Sequence, residues 1–148
     1  MELKDKAGKT VSNNFYVVTD KLAEFDWAKT TYVFTPSLSF ADYRDLNQLE
    51  KGTVSTKVRW ADTRHATVSL VNSGKTVDFM VHARLVKSGT DEEVAPVLWS
   101  DNFVSLLPGE SRTLEVELPS GNKGTEFHVD GWNVELTKPK APTSLEKK

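Results

Sequence analysis

Carboxylates, histidines and a polar corner are the parts of this sequence that could do chemistry. Glu92 stands beside Glu93, and Glu115 beside Glu117 at i,i+2, the pairings in which a glycosidase-type acid and base would be sought. Adjacent residues on a strand face opposite ways, and i,i+2 residues share an outer, solvated face. Neither pair therefore has the pocket that would drive two pKa values apart. The histidines, His65, His82 and His128, have no mutual spacing suited to a metal. Each falls at an outward or turn-adjacent position and reads as a surface histidine. Ser100 and Asp101 with any of them lack the glycines of a nucleophile elbow. There is no cysteine, hence no disulfide scaffold or thiolate site, and no phosphate-cradling glycine loop. The expectation is no catalytic residue, no metal and no cofactor.

The corner Ser100-Asp101-Asn102, between Trp99 and Phe103, carries two readings. Asx side chains close local turns by accepting nearby backbone N–H groups; alternatively the corner is a contact surface for a sugar or a neighbouring domain. Of the four tryptophans, Trp60 and Trp132 sit on inward phases and read as core. Trp27 and Trp99 are then the candidates for stacking on a pyranose ring. The candidate contact set is Trp27, Trp99, Ser100, Asp101, Asn102 and Phe103.

These residues are positioned by strands. Pro108-Gly109 is a type II turn signal, with glycine supplying the positive φ; after it Leu114, Val116 and Leu118 alternate with Thr113, Glu115 and Glu117. Val54, Val58 and Trp60 share one face of an earlier strand, and Ala66, Val68 and Leu70 face inward on the next. A long third strand points Val77, Phe79, Val81, Ala83 and Leu85 inward, with Asp78, Met80, His82, Arg84 and Val86 outward. Ser120 to Gly124 is a turn. In the last strand Phe127 and Val129 fall out of phase with Trp132, Val134 and Leu136; one extra residue at Asp130-Gly131, a bulge with Gly131 in a strained conformation, restores a single face. About seven short strands with turns every ~8–12 residues is the pattern of an immunoglobulin-like antiparallel β-sandwich.

The 148 residues divide as a hairpin over 1–18 with its turn at Ala7-Gly8, a connector over 19–52, the sandwich over 53–138, and a flexible tail over 139–148 rich in proline and lysine. In the connector, Asp20 and Ser39 can each cap a short helical turn. Residues 15–43 hold Phe15, Tyr16, Phe25, Trp27, Tyr32, Phe34, Phe40 and Tyr43, eight of the chain's 14 aromatics, and so many aromatics must pack on something. They either wrap their own sandwich or wedge against a neighbour. Net charge is −2 with both signs interspersed and no basic–aromatic stripe, which argues against nucleic acid. No apolar run approaches the ~20 residues of a membrane span, and no signal peptide is read at the start. Met1 directly before a strand-like segment reads as an introduced start, and the chain as a fragment of something longer.

With these residues in view, WSDNFVSLLPGES (99–111) followed by DGWNVEL (130–136) resembles the C-terminal immunoglobulin-like domain of glycoside hydrolase family 2 enzymes. The similarity is to the exo-β-D-glucosaminidase and mannosylglycoprotein endo-β-mannosidase branch. SNNFYVV (12–18), Asp26-Trp27, Phe34-Thr35-Pro36 and Ala41-Asp42 to Leu46-Asn47 follow the family order along nearly the whole chain. The sequence departs at Tyr16-Val17, where the family usually has tyrosine then tryptophan. The resemblance implies a non-catalytic accessory domain whose catalytic glutamates lie on a barrel elsewhere in the polypeptide. Its partners would be that barrel and a preceding sandwich domain that owns the 1–18 hairpin, in a periplasmic or extracellular enzyme. It carries no catalytic residue onto this chain. Rival readings are an independent carbohydrate-binding module using Trp27 and Trp99, marked by exposed coplanar tryptophans, and an adhesion-type sandwich with a protein partner, marked by tandem copies.

Overall fold

Alternating apolar residues force the chain from Val54 onward into strands that bury one face each, and the computed structural model shows two antiparallel sheets built from them. It describes residues 1–119 and 121–140; Ser120 and most of the expected flexible tail, 141–148, lie outside the described residues. The chain forms two compact units, Met1–Gln48 and Leu49–Lys148.

In the first unit, β1 (Glu2–Lys4) pairs with β2 (Thr10–Asn13). The Asp5 carboxylate closes their turn by accepting the N–H groups of Ala7 and Lys9, each at 2.9 Å, and Gly8 takes φ +82°. The strand expected to run to Val18 stops at Asn13. β3 (Glu24–Phe25) pairs with β4 (Ser37–Ser39). Neither expected helical turn forms at its cap: 3-10 turns lie later, at Trp27–Lys29 and Arg44–Gln48. The second is anchored by Asp42, whose carboxylate accepts the Arg44 N–H at 3.1 Å and its guanidinium. These bonds from Arg44 hold the Asp42 carboxyl well below the usual carboxylate range. No described residue of 1–48 is buried.

In the second unit, β5 (Val54–Trp60), β6 (His65–Asn72), β10 (Ser111–Glu117) and β8 (Leu98–Trp99) form a four-stranded sheet in the order β5-β6-β10-β8. The other sheet is β11-β7-β9, from Thr125–Asp130, Asp78–Lys87 and Val104–Leu106. Val68, Leu70 and Leu114 from one sheet and Val81, Leu106, Phe127 and Val129 from the other are almost wholly withdrawn from solvent. Each such side chain contributes roughly 1.5–3 kcal/mol by burial. Phe127 sits at the centre, with the Trp60 ring 5.5 Å away and the Trp99 ring 6.1 Å away, edge-on. At Pro108-Gly109 the Glu110 N–H bonds Leu107 O at 2.9 Å and Gly109 has φ +81°, as a type II turn requires.

The third strand breaks its expected alternation. Met80 has φ +53°, and the β7–β9 register shifts between Asp78 and Val81. Met80 keeps its expected outward side, but Asp78 is turned into the core and Val86 is buried where outward residues were expected. The phase slip expected at Asp130-Gly131 is resolved differently. β11 ends at Asp130, and Gly131 to Val134 form a tight turn closed by Gly131 N–H to Val134 O at 3.0 Å. Gly131 does not have positive φ; a Cβ there would press on Phe79 O at 3.1 Å and Val134 Cβ at 3.2 Å. Glycine is needed for close backbone approach rather than for strain. Because Trp132 follows turn geometry, it is 57 % exposed instead of core, edge-on to Phe79 at 6.3 Å. Leu136, past the turn, is exposed as well.

Candidate functional site at the corner between the sheets

The corner is where the chain changes sheets. β8 pairs with β10 in one sheet and β9 with β7 in the other, so residues 100–103 must cross the edge of the sandwich, and their backbone groups need partners outside either ladder. Ser100 supplies the first set: its N–H donates to Glu115 O at 2.9 Å, and its Oγ accepts the Glu115 N–H at 2.8 Å. Asp101 accepts the Asn102 N–H at 2.9 Å through Oδ1 and the Arg112 guanidinium at 3.1 Å through Oδ2. Asn102 works as a substitute strand. Its Oδ1 accepts the N–H of Ala83 at 2.9 Å and of Phe103 at 3.0 Å, while Nδ2 donates to Ala83 O at 2.7 Å.

Phe103 leaves the corner with φ +51°, a rare conformation for an aromatic residue. Its exposed ring stacks on His82, centroids 4.3 Å apart and planes within 6°. His82 Nδ1 lies 3.5 Å from Asp130 Oδ1, and Arg84 reaches the other oxygen at 3.4 Å. Sequence reasoning placed His82 outward but missed this stack, because nothing local marks a phenylalanine for the left-handed region. His128, read as a surface residue, is fully buried. Strand phase ignores what a loop lays over it: Nε2 contacts Glu126 at 2.9 Å and Nδ1 lies 3.3 Å from Asp91, on the loop after β7. The bond from His128, then a backbone bond from Gly89 and the charge of Lys138, hold the Glu126 carboxyl below its ordinary value.

The two halves of the corner face different surroundings. Trp99 and Ser100 line an open concavity of about 380 Å³ with His65, Leu98, Glu115 and Glu117. Asp101, Asn102 and Phe103 instead engage Arg112 and β7. Trp27 belongs to the first unit, 73 % exposed and tilted against Phe25 at 5.5 Å. At the rim of the concavity His65 is held by Asp62 at 2.8 Å. The Arg64 N–H, then the His65 ring and N–H, hold the Asp62 carboxyl down at about 2. Glu115 and Glu117 share the outer face, opposite Thr67 and His65, and Glu117 meets Arg64 at 3.6 Å. Glu92 is paired with Lys87, and Glu93 bridges to Val86. Among the described residues no three His, Asp or Glu side chains are grouped so as to hold a metal ion.

One carboxyl is pushed upward. Asp78 is fully buried, and loss of solvent raises its pKa against a single backbone bond from the Thr53 N–H at 2.8 Å; Oδ2 has no partner. Gly52 lets it sit there, since a Cβ at 52 would collide with Oδ1. A sealed carboxyl cannot reach a substrate, but it does tie stability to pH. The folded chain keeps a proton that the unfolded chain releases near 3.8, so stability falls as pH rises from that value through the raised one. Asp78→Asn is expected to leave the urea midpoint unchanged at pH 3.5 and to raise stability by about 1 kcal/mol at pH 7, the low end for an unpaired buried charge. Equal effects at both pH values would show that the side chain ionises freely.

A family model described as the exo-beta-D-glucosaminidase Ig-fold domain matches residues 32–134. Exo-beta-D-glucosaminidase of Streptomyces avermitilis is 38 % identical over 149 residues, covering 94 % of this chain and 16 % of that protein. The Arthroderma benhamiae enzyme of the same name is 35 % identical over 133 residues, 90 % of this chain and 15 % of its own length. The crystal structure of Amycolatopsis orientalis exo-chitosanase CsxA superimposes with a TM-score of 0.76 at 33 % identity, over 93 % of this chain and 17 % of that one. The chain thus spans only about 15 % of the length of its curated relatives.

Proposed function

Because the chain belongs to the family of exo-beta-D-glucosaminidase Ig-fold domains, we propose that it is a non-catalytic accessory domain of a multidomain β-glycosidase, supporting the catalytic barrel by interdomain packing. One observation carries this reading. All eight aromatics between Phe15 and Tyr43 are exposed, Trp27, Tyr32 and Phe40 by 73 %, 104 % and 83 %. So many exposed aromatics in one short stretch mark a segment made to be covered, and relatives roughly six times longer supply the domains to cover it. The hairpin 1–18 then belongs to a preceding sandwich domain, and 19–52 is the connector wedged between neighbours. The state of the carboxylates supports a non-catalytic role. Asp62, Glu126 and Glu135 are held low by hydrogen bonds and ion pairs, and the raised one, Asp78, is sealed from solvent.

The test uses the full-length native polypeptide. An antibody against this domain should detect a chain several times longer than 148 residues that carries exo-β-D-glucosaminidase activity. In that enzyme, Trp27→Ala with Phe40→Ala should lower the thermal midpoint by several degrees while leaving KM unchanged; in the isolated chain the same pair should leave the sandwich's midpoint unmoved. A native product of 148 residues would overturn the proposal. A carbohydrate-binding module remains the second reading, favoured by the exposed Trp27 ring and by Trp99 at the rim of the 380 Å³ concavity. Saturable quenching of tryptophan emission by a glucosamine oligomer, abolished by Trp27→Ala or Trp99→Ala, would select it.

A further inference from the structure

The outer face of the four-stranded sheet carries a second concavity, of about 500 Å³, over β5 and β6. It is lined by Lys57, Arg59, Thr67, Ser69 and Lys140. The strand register explains why these side chains meet. Lys57 lies opposite Ser69 and Arg59 opposite Thr67, and Lys57 and Arg59, two apart on one strand, stand on the same face. Lys140 joins them from beyond the last strand. No carboxylate lines the concavity. The β10 acids of that face, Glu115 and Glu117, lie opposite Thr67 and His65, on the side of β6 away from Arg59, and both line the other concavity.

Three cations held together repel one another, and proteins usually place acids among them. This chain does so elsewhere: Lys4, Lys21, Lys29, Arg44, Lys51, Arg64, Arg84, Lys87, Arg112 and Lys138 all form ion pairs. Lys57, Arg59 and Lys140 form none among the described residues, and neither do Lys6, Lys9, Lys75 and Lys123; what distinguishes the first three is that they line one concavity. Thr67 and Ser69 share the concavity with them, and the Ser69 hydroxyl also meets that of Thr113 at 3.5 Å. Two ammonium groups, a guanidinium fork and the Thr67 and Ser69 hydroxyls make a donor set with no competing carboxylate, the chemistry that receives an oxyanion.

We propose that this face binds a sulfate or phosphate group, with Lys57, Arg59 and Lys140 supplying charge and Thr67 and Ser69 supplying neutral donors. The site is open to water, so a single free ion binds weakly. The same group repeated along a polymer gains by multivalency.

Backbone amide titration of the whole chain by NMR tests this, with sodium sulfate, inorganic phosphate and dextran sulfate as probes at constant ionic strength held by sodium chloride. Saturable shifts confined to residues 56–59 and 67–69 are expected. Lys57→Ala with Arg59→Ala should weaken them about tenfold or more, the effect of losing two nearby charges in water. Lys75→Ala with Lys123→Ala, which removes two unpaired cations away from the concavity, should leave them intact. Tighter binding of dextran sulfate than of sulfate would assign the group to a polymer, and equal binding to a free ion. Shifts that never saturate, or that both double variants reduce alike, would reveal charge screening only and overturn the site.

Discussion

Phe127→Ala is expected to destabilise the sandwich by about 3–5 kcal/mol, the cost of emptying a core position filled by an aromatic ring. The ring is 2 % exposed and touches Trp60 from one sheet edge and Trp99 from the other, so no neighbour can collapse into the space without unpacking a tryptophan. Phe127→Leu, which keeps most of the volume, should cost roughly half as much. The measurement is urea unfolding in a Trp27→Phe background, where emission reports Trp60, Trp99 and Trp132. The midpoint should fall with an unchanged slope, because the same surface is exposed on unfolding. A loss below about 1 kcal/mol would mean that the two sheets do not close on this residue.

The parts of the fold that were legible are those in which a residue's surroundings are set by its own strand. Val54 and Val58, Ala66 to Leu70, and Leu114 to Leu118 follow a period of two without interruption, and each is buried as that period demands. Pro108-Gly109 needs only its own backbone to turn. What was not legible depends on distant partners. The slip in β7 is invisible at Met80, because a bulge there is stabilised by the Ser105 hydroxyl accepting its N–H at 3.1 Å from another strand. His128 disappears under a loop whose sequence says nothing of where it lies. Trp132 looks like a strand residue until Asn133 pulls the chain into a turn, its Oδ1 accepting the Phe79 N–H at 2.8 Å and its Nδ2 donating to Glu50 O and Val77 O, both at 2.7 Å. Asn72 does the same inside the core, donating to Thr76 O at 2.7 Å and Leu106 O at 2.9 Å. An asparagine in a sequence reads as a turn former; that it replaces a missing strand partner appears only when the strand ends are brought together.

Asn102 is the member of this group on which the meaning of the corner turns. Asn102→Ala is expected to cost about 2–4 kcal/mol, because it strands both the N–H and the C=O of Ala83, a buried residue, at about 1–3 kcal/mol for each unsatisfied group. Asp101→Ala, which removes a half-exposed pairing with Arg112 and an exposed bond from the Asn102 N–H that water can replace, should cost no more than about 1 kcal/mol. Asn102→Asp separates the staple from simple bulk. It keeps the acceptor for Ala83 N–H but sets a second carboxylate oxygen, with no proton to give, against Ala83 O. At pH 7 it should therefore be as damaging as alanine. Protonation restores an O–H donor, so the folded form of that variant favours the protonated acid, and its deficit should shrink as pH falls from 7 towards about 4, with the recovery complete below that value. Urea unfolding of the three variants at pH 7 and pH 3.5 reads all of this. If Asn102→Ala matched Asp101→Ala, or if Asn102→Asp showed no recovery in acid, the bonds to Ala83 would not hold the crossing, and the corner would be free to serve a sugar or a neighbouring domain at little cost to the fold.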